Sequence, residues 1–322
     1  MITKRNIYDI INSSELVFDY LQDVSVRTSA LLRRGKIFKS FDYIFNEISG
    51  KSILVPYLRF NMDSNIMKVN VHGFPICIDL TDDGLSYELL LHQDREPLTG
   101  TVFRDYLRTA NAREGDVTVI EAGANIGYYA LQEATLLGEN GTIHAFEPVP
   151  ANMDLLEKNI RINGFEERIN TIRSAVGSKE ENVKMSVGNS RNWARVSTDG
   201  QGGNVEVEMT TLDKYCKLEG IDPGEVNIVR MDVEGYETQI IPGMENILSE
   251  SSDLLLFIEL HIRELKSNNE LEPFLKHLKE HGFELKVAVR RQNRLEIEDI
   301  MDLTSVKGCP NVFLHKFEDN SK

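Results

Sequence analysis

Residues Val117–Pro148, VTVIEAGANIGYYALQEATLLGENGTIHAFEP, decide the fold. The apolar run Val117-Thr118-Val119-Ile120 has the character of a strand buried on both faces of a parallel sheet. It ends in Glu121, and the turn Gly123-Ala124-Asn125-Ile126-Gly127 follows. Two glycines four apart let the backbone reverse beneath a ligand, and the next helix offers its unpaired N–H groups there. A second strand, Thr142–Phe146, ends in Glu147, twenty positions after Gly127. In a doubly wound nucleotide fold, that is where a carboxylate accepts bonds from both ribose hydroxyls. A dinucleotide fingerprint needs a bare glycine where this chain has Asn125, whose side chain would crowd a diphosphate. The stretch therefore favours a ligand with a ribose and no phosphate.

The chain has 322 residues, 41% of them hydrophobic, enough for one large domain or one domain with an appendage. Its net charge is −15, from 51 acidic against 36 basic residues, and its pI is near 5.0. A broad nucleic-acid surface is not expected, because the phosphate backbone would be repelled. Cys77, Cys216 and Cys309 are odd in number and far apart, with no C-x-x-C and no His at zinc spacing from them. Neither a disulfide framework nor a structural zinc is indicated, and no residue is assigned as a metal ligand. The start MITKRNIYDIINSS is charged where a secretory leader needs an apolar run. The longest aliphatic stretches, such as Leu254–Ile258, are too short to span a bilayer. The expectation is a cytoplasmic protein.

Residues 1–50 read as amphipathic helices. Their Arg33-Arg34-Gly35-Lys36 run, with Lys39, could touch an anionic membrane or a lipid-linked substrate, and the helices could pair copies of the chain. Residues 51–110 read as a small β/α layer. Its short alternating runs are Ser52–Val55, Met67–His72 and Pro75–Leu80, followed by helices over Tyr87–Leu91 and Pro97–Ala110. Residues 111–322 form the nucleotide-binding core. A helix runs over Asn152–Asn163 between Pro150 and Gly164, and a third strand over Asn170–Ser174. The 177–208 segment, with Trp193 in NSRNWARVS, reads as a loop or hairpin excursion. Thr211 opens a helix, Val226–Met231 is a fourth strand, and Gly235–Leu248 is a helix interrupted near Pro242-Gly243. Asp253–Leu260 is a fifth strand, Leu271–His281 a helix, and Phe283–Val289 and Asn311–Phe317 the last two strands.

Ligands of open parallel sheets sit beyond the carboxyl ends of the strands. Four predicted strand ends carry polar groups there: Glu121, Glu147, Asp232 with Glu234, and Glu259 with His261. Acidic side chains at the mouth of apolar strands are costly unless they bind something.

VIEAGANIGYYAL, HAFEPVPANMDLLEKNIRING, Thr211-Leu212-Asp213, VRMDVEGYE and LFIELH together resemble the FkbM family of methyltransferases, over roughly residues 80–290. The resemblance implies a Rossmann-like class I methyltransferase fold: a seven-stranded, mostly parallel sheet with an antiparallel last strand. It implies S-adenosylmethionine as methyl donor and a hydroxyl of a carbohydrate or other small molecule as acceptor. Matched residue by residue, it puts Glu121, Gly123, Asn125 and Gly127 around the methionine half of the donor, with Tyr128 and Pro148 also among the donor-binding residues. Glu147 falls at the ribose, Ser174 and Ala175 beside the adenine, and Asp232 near the sulfonium. Arg230 departs from the family, which commonly has Lys there. The candidates for removing the acceptor's proton are Asp232, Glu234 and His261. A histidine poised near neutrality suits a base, whereas Asp232 could instead stabilise the sulfonium. The Asp232, Glu234, Glu259 and His261 group could hold Mg²⁺, although nothing in the sequence requires it. Trp193 could stack on a sugar face. Two other readings stay open: a nicotinamide-dependent oxidoreductase, which Asn125 disfavours, and a non-catalytic binding module. Asp232-Val233-Glu234 is not the N-P-P-Y/F type that methylates nucleic-acid amino groups.

Overall fold

The computed structural model describes residues 64–112, 115–188, 194–196 and 203–317. The readings of residues 1–50, Ser52–Val55 and Trp193 lie outside them. Fourteen strands occur among the described residues: β1 (Ile66–Val71), β2 (Phe74–Asp79), β3 (Val117–Ala122), β4 (Gly141–Phe146), β5 (Ile169–Ile172), β6 (Ala175–Val176), β7 (Glu181–Ser186), β8 (Arg195–Val196), β9 (Val205–Thr210), β10 (Val226–Met231), β11 (Asp253–Glu259), β12 (Glu284–Arg290), β13 (Asn293–Arg294) and β14 (Asn311–Phe317). The helices are α1 (Leu85–His92), α2 (Pro97–Asn111), α3 (Tyr128–Leu137), α4 (Pro150–Asn163), α5 (Leu212–Glu219), α6 (Glu237–Ile240), α7 (Glu245–Glu250), α8 (Ile262–Ser267) and α9 (Leu271–Glu280).

The main sheet runs β13-β12-β14-β11-β10-β3-β4-β5. β14 lies antiparallel between β11 and β12, while β11, β10, β3, β4 and β5 pair in parallel. The chain winds outward from β3 to β5 and then crosses back to β10, so the order reverses between β3 and β10. This is the seven-stranded class I methyltransferase arrangement, with the two-residue β13 added at one edge. The strands read as continuous apolar runs because each feeds two cores. Leu254, Leu256 and Ile258 of β11 pack on one face, while Leu255 and Phe257 pack on the other.

Local signals set the element ends. Pro150 occupies the first turn of α4, and Gly164 closes it in the left-handed region at φ 68. The Thr211 hydroxyl caps α5 by accepting the Lys214 N–H at 3.1 Å. Asp213 then caps a neighbouring helix, accepting the Asn246 N–H at 3.0 Å and the Ile247 N–H at 3.4 Å at the start of α7. The expected break near Pro242-Gly243 is a 3₁₀ turn at Ile241–Gly243 that separates α6 from α7.

Two segments differ from the sequence reading. The third core strand is shorter than expected, because at Ala175 the chain leaves the main sheet for a second one. There β6 pairs with β9, β9 with β7, and β7 with β8. The excursion is therefore a small sheet with its own apolar side of Met185, Val207 and Met209. The expected β1–β2 hairpin is present and lies against α4. Asn159 of α4, fully buried, accepts the Cys77 N–H at 2.6 Å and donates to the Cys77 and Ile126 carbonyls at 3.1 and 2.8 Å. One amide thus ties the hairpin to the glycine turn.

We expect Asn159→Leu, which leaves three buried backbone groups unpaired, to lower the unfolding free energy by at least about 1–3 kcal/mol. Urea denaturation measures the loss. An unchanged midpoint would show that the hairpin is not docked through this residue.

Candidate functional site

The expected strand ends converge where the sheet order reverses. Gly123, Asn125, Glu147, Pro148, Ser174, Ala175, Asp232 and Glu234 line a single cleft, closed on its outer side by Met185 and Val196 of the second sheet and by Tyr236. The glycine turn fits this place sterically. Gly123 has φ 87, and a Cβ on it would lie 2.2 Å from the Asp232 carbonyl oxygen, so the end of β10 passes where only a glycine allows it. Asn125 adopts the left-handed region at φ 54. Its N–H donates to Glu147 Oε2 at 2.8 Å, while the Val149 N–H donates to Oε1 at 2.8 Å. Glu147 is buried, and burial pushes its pKa up to about 7 against these two bonds.

Four other sequence candidates lie away from the cleft lining. Gly127 begins α3, with Leu156 packed where a Cβ would stand. The buried Tyr128 hydroxyl donates to Asp94 Oδ1 at 2.9 Å and accepts the Arg95 N–H at 3.0 Å. His72, in the hairpin turn, reaches the same hydroxyl at 3.2 Å. Glu121 is fully buried and faces β10. Arg230, its register partner across the β3–β10 ladder, donates to Glu121 Oε1 at 2.9 Å through one nitrogen and to Asp232 Oδ2 at 3.1 Å through the other. The Tyr129 ring covers this guanidinium 3.9 Å from its centroid. His261 lies beneath Glu234, 3.3 Å from Glu234 Oε2 and 2.7 Å from Glu237 Oε1.

These contacts set the charges. Burial works to raise the Asp232 pKa, but Arg95, Arg230 and His261 hold it below the usual carboxylate range, so Asp232 is ionised. Burial alone would lower the His261 pKa, yet the bonds to Glu234 and Glu237 push it up to about 12. The imidazole is thus a fixed cation at neutral pH rather than a group poised near neutrality. Burial raises Glu121 to about 7 in spite of Arg230, and raises Glu259 well above the ordinary range with Asp232 and Glu96 adding to it.

Arg95 has no signal in the sequence around it, yet it is central here. It sits between Asp232 at 3.6 Å and Glu259 at 3.4 Å. Arg195 on β8 reaches Glu234 at 3.3 Å from the other side. The four groups considered for Mg²⁺ therefore do not converge. Asp232 is held by Arg230 and Arg95, Glu259 by Arg95, and Glu234 by His261 and Arg195, so the cationic place is filled by the chain's own side chains.

Arg230→Met would leave Glu121 buried without its partner. We expect a loss of about 3–5 kcal/mol in unfolding free energy, and partial recovery when Glu121→Gln is added. A double-mutant cycle in urea measures the coupling, and additive losses would show that the pair is not the linkage between β3 and β10.

The profile of the Methyltransferase FkbM domain matches residues 121–285, just over half of the chain. A hexuronic acid methyltransferase, AglP, of Haloferax volcanii is 28% identical over 156 residues, covering 47% of this chain and 58% of that protein. The methyltransferase sdnD of Sordaria araneosa is 22% identical over 192 residues, covering 51% of this chain and 74% of its own length. The chain thus spans under two thirds of the length of the first of these relatives. A crystal structure of an FkbM methyltransferase from Methylobacillus flagellatus overlays with a TM-score of 0.43 at 16% identity, covering 71% of this chain and 52% of the other. With its sheet order, its glycine turn and a domain match running from Glu121 into β12, the chain belongs to the FkbM family of methyltransferases.

Proposed function

We propose that the chain is an S-adenosylmethionine-dependent O-methyltransferase acting on a hydroxyl of a carbohydrate or other small molecule. The observation that carries this reading is the Glu147 carboxylate, held by two backbone N–H bonds at the floor of a cleft that also contains Asp232. Oε2 accepts only the Asn125 N–H and so keeps an acceptor position. Oε1 accepts the Val149 N–H with the Asn152 amide beside it at 3.5 Å, an amide that a ribose hydroxyl would displace or join. Gly123 would let the methionine half pass close to the backbone, Ser174 and Ala175 would border the adenine, and ionised Asp232 would face the sulfonium. When bound, the donor supplies a methyl carbon already activated by its positive sulfur. The hexuronic acid named for the Haloferax relative supports a sugar-like acceptor.

The Asn125 N–H is committed to Glu147, and its side chain stands where a pyrophosphate would need bare backbone. This favours a nucleoside ligand without phosphate over a nicotinamide dinucleotide.

A sugar hydroxyl is a poor acid and needs an aligned acceptor for its proton. Glu234 suits this role. It lines the cleft next to Asp232 and has φ 57, a backbone conformation costly for a side-chain-bearing residue and enriched at functional sites. His261, as a buried imidazolium, would fix Glu234 and balance its charge. Asp232, held between two arginines, is the better placed counter-charge for the sulfonium.

Calorimetric titration with S-adenosylmethionine, run beside Glu147→Gln and beside NAD(H), tests the donor. We expect binding that the variant weakens, and no binding of NAD(H); the reverse pattern would overturn the reading. The donor hydroxyls need the ionised carboxylate, so affinity should rise as pH increases through about 7, by roughly tenfold per unit below that value. Glu147→Gln should remove the dependence. Glu234→Gln should lower kcat on a hydroxyl acceptor by about 10²–10⁴-fold while leaving donor affinity in place, with methyl transfer followed by mass spectrometry. Full turnover in that variant would return the proton to another group.

A further inference from the structure

A second chemical constellation lies on the helices that cover the sheet. α9 turns its apolar stripe, Leu271, Phe274, Leu275 and Leu278, onto the core shared with Ile247 and Leu248 of α7. His281 caps the C-terminal end of α9 four positions after His277, its N–H donating to the His277 carbonyl at 3.1 Å, so the two imidazoles stand one turn apart. Their ring centroids are 4.7 Å apart. Glu245, the first residue of α7, faces both rings. Its Oε1 is 2.8 Å from His277 Nε2, and its Oε2 is 3.4 Å from His281 Nε2. The three ligand atoms lie within 4.8 Å of one another, and this is the one His/Cys/Asp/Glu trio among the described residues with that property. None of the three lines the methyltransferase cleft.

From these positions we infer a binding site for a divalent transition ion of the zinc class, held by Glu245, His277 and His281. Two imidazole nitrogens and one carboxylate oxygen are a donor set that zinc takes with a water in its fourth position. A tetrahedral ion with bonds of about 2.0–2.1 Å to nitrogen and oxygen places its donors roughly 3.3 Å apart, and the three donors here, already within 4.8 Å of one another, reach that spacing by side-chain rotation. The side chains are 20–41% exposed, which leaves one side open for water and for entry of the ion. Imidazole selects zinc, nickel or copper over magnesium, which prefers an all-oxygen shell. Glu245 and His277 are 32 residues apart, so a bound ion would join α7 to α9 across β11. Binding to the folded state alone would then raise stability with metal concentration.

The test is titration of Zn²⁺ into the reduced, chelator-treated full chain, with Mg²⁺ as the control. We expect one equivalent of zinc to bind and magnesium not to, and zinc to raise the melting temperature reversibly with EDTA. His277→Ala, His281→Ala and the conservative Glu245→Gln should each weaken zinc binding by more than about tenfold and remove the zinc-dependent shift. Their melting temperatures without metal show that they fold. If the double variant His277→Ala/His281→Ala binds zinc as the unaltered chain does, or the unaltered chain binds none, the site does not exist.

Discussion

Everything at the mouth of this sheet depends on one buried ion pair. Glu121 and Arg230 stand opposite each other on β3 and β10, the two strands between which the winding reverses. They are 0% and 3% exposed, with Val119, Ile228 and Phe257 around them and the buried Glu133 carboxyl and the Tyr129 ring close by. Two charges brought there without each other would cost several kcal/mol. Held together, they specify which strands lie side by side and at what register. The same guanidinium extends to Asp232, so the group that fixes the strand pairing also keeps a carboxylate ionised at the site. An arginine can do both because its planar fork offers separate nitrogens to separate partners, whereas a lysine presents a single point charge. The chain's departure from the common family residue thus has a structural use: the cation is ion-paired and buried.

Charge organises the rest of the mouth in the same way. Arg95 and Arg230 enter from opposite sides and leave Asp232 as their shared counter-ion. His261 is trapped between Glu234 and Glu237. Asp232 and Glu234 therefore face the cleft with cations from other parts of the chain beside them, while Glu147 has only backbone and amide donors.

The fold was legible because its signals are local. A βα turn must bend within a few residues, so Gly123, Gly127 and the twenty-residue interval to Glu147 are forced to be near one another in sequence. The apolar runs of β3, β10 and β11 are likewise readable without knowing their neighbours. The charge network was not, since its partners are distant: Arg95 meets Glu259 across 164 residues, and Asn159 meets Cys77 across 82. His261 was read as a group near neutrality because the sequence does not show that Glu237, a helix start, turns its carboxylate onto the ring. The second sheet did leave a trace. ENVKMS and VEVEMT alternate with period two, so a loop or hairpin was legible there, but not the pairing with β6 and β8 that makes it a sheet.

The Tyr128 hydroxyl gathers the hairpin turn through His72, the loop through Asp94 and Arg95, and the start of α3, directly after the glycine turn. Val71, Ile76 and Leu89 share a single core with Val117 and Leu131. The consequence concerns modularity. The described part of the layer before residue 110 is therefore no detachable cassette, because His72, Asp94 and Arg95 hold the Tyr128 hydroxyl at the start of α3, directly after the turn. A different layer grafted there would have to bring its own equivalents of Asp94 and Arg95, or it would leave the buried Tyr128 hydroxyl unpaired beside the glycine turn.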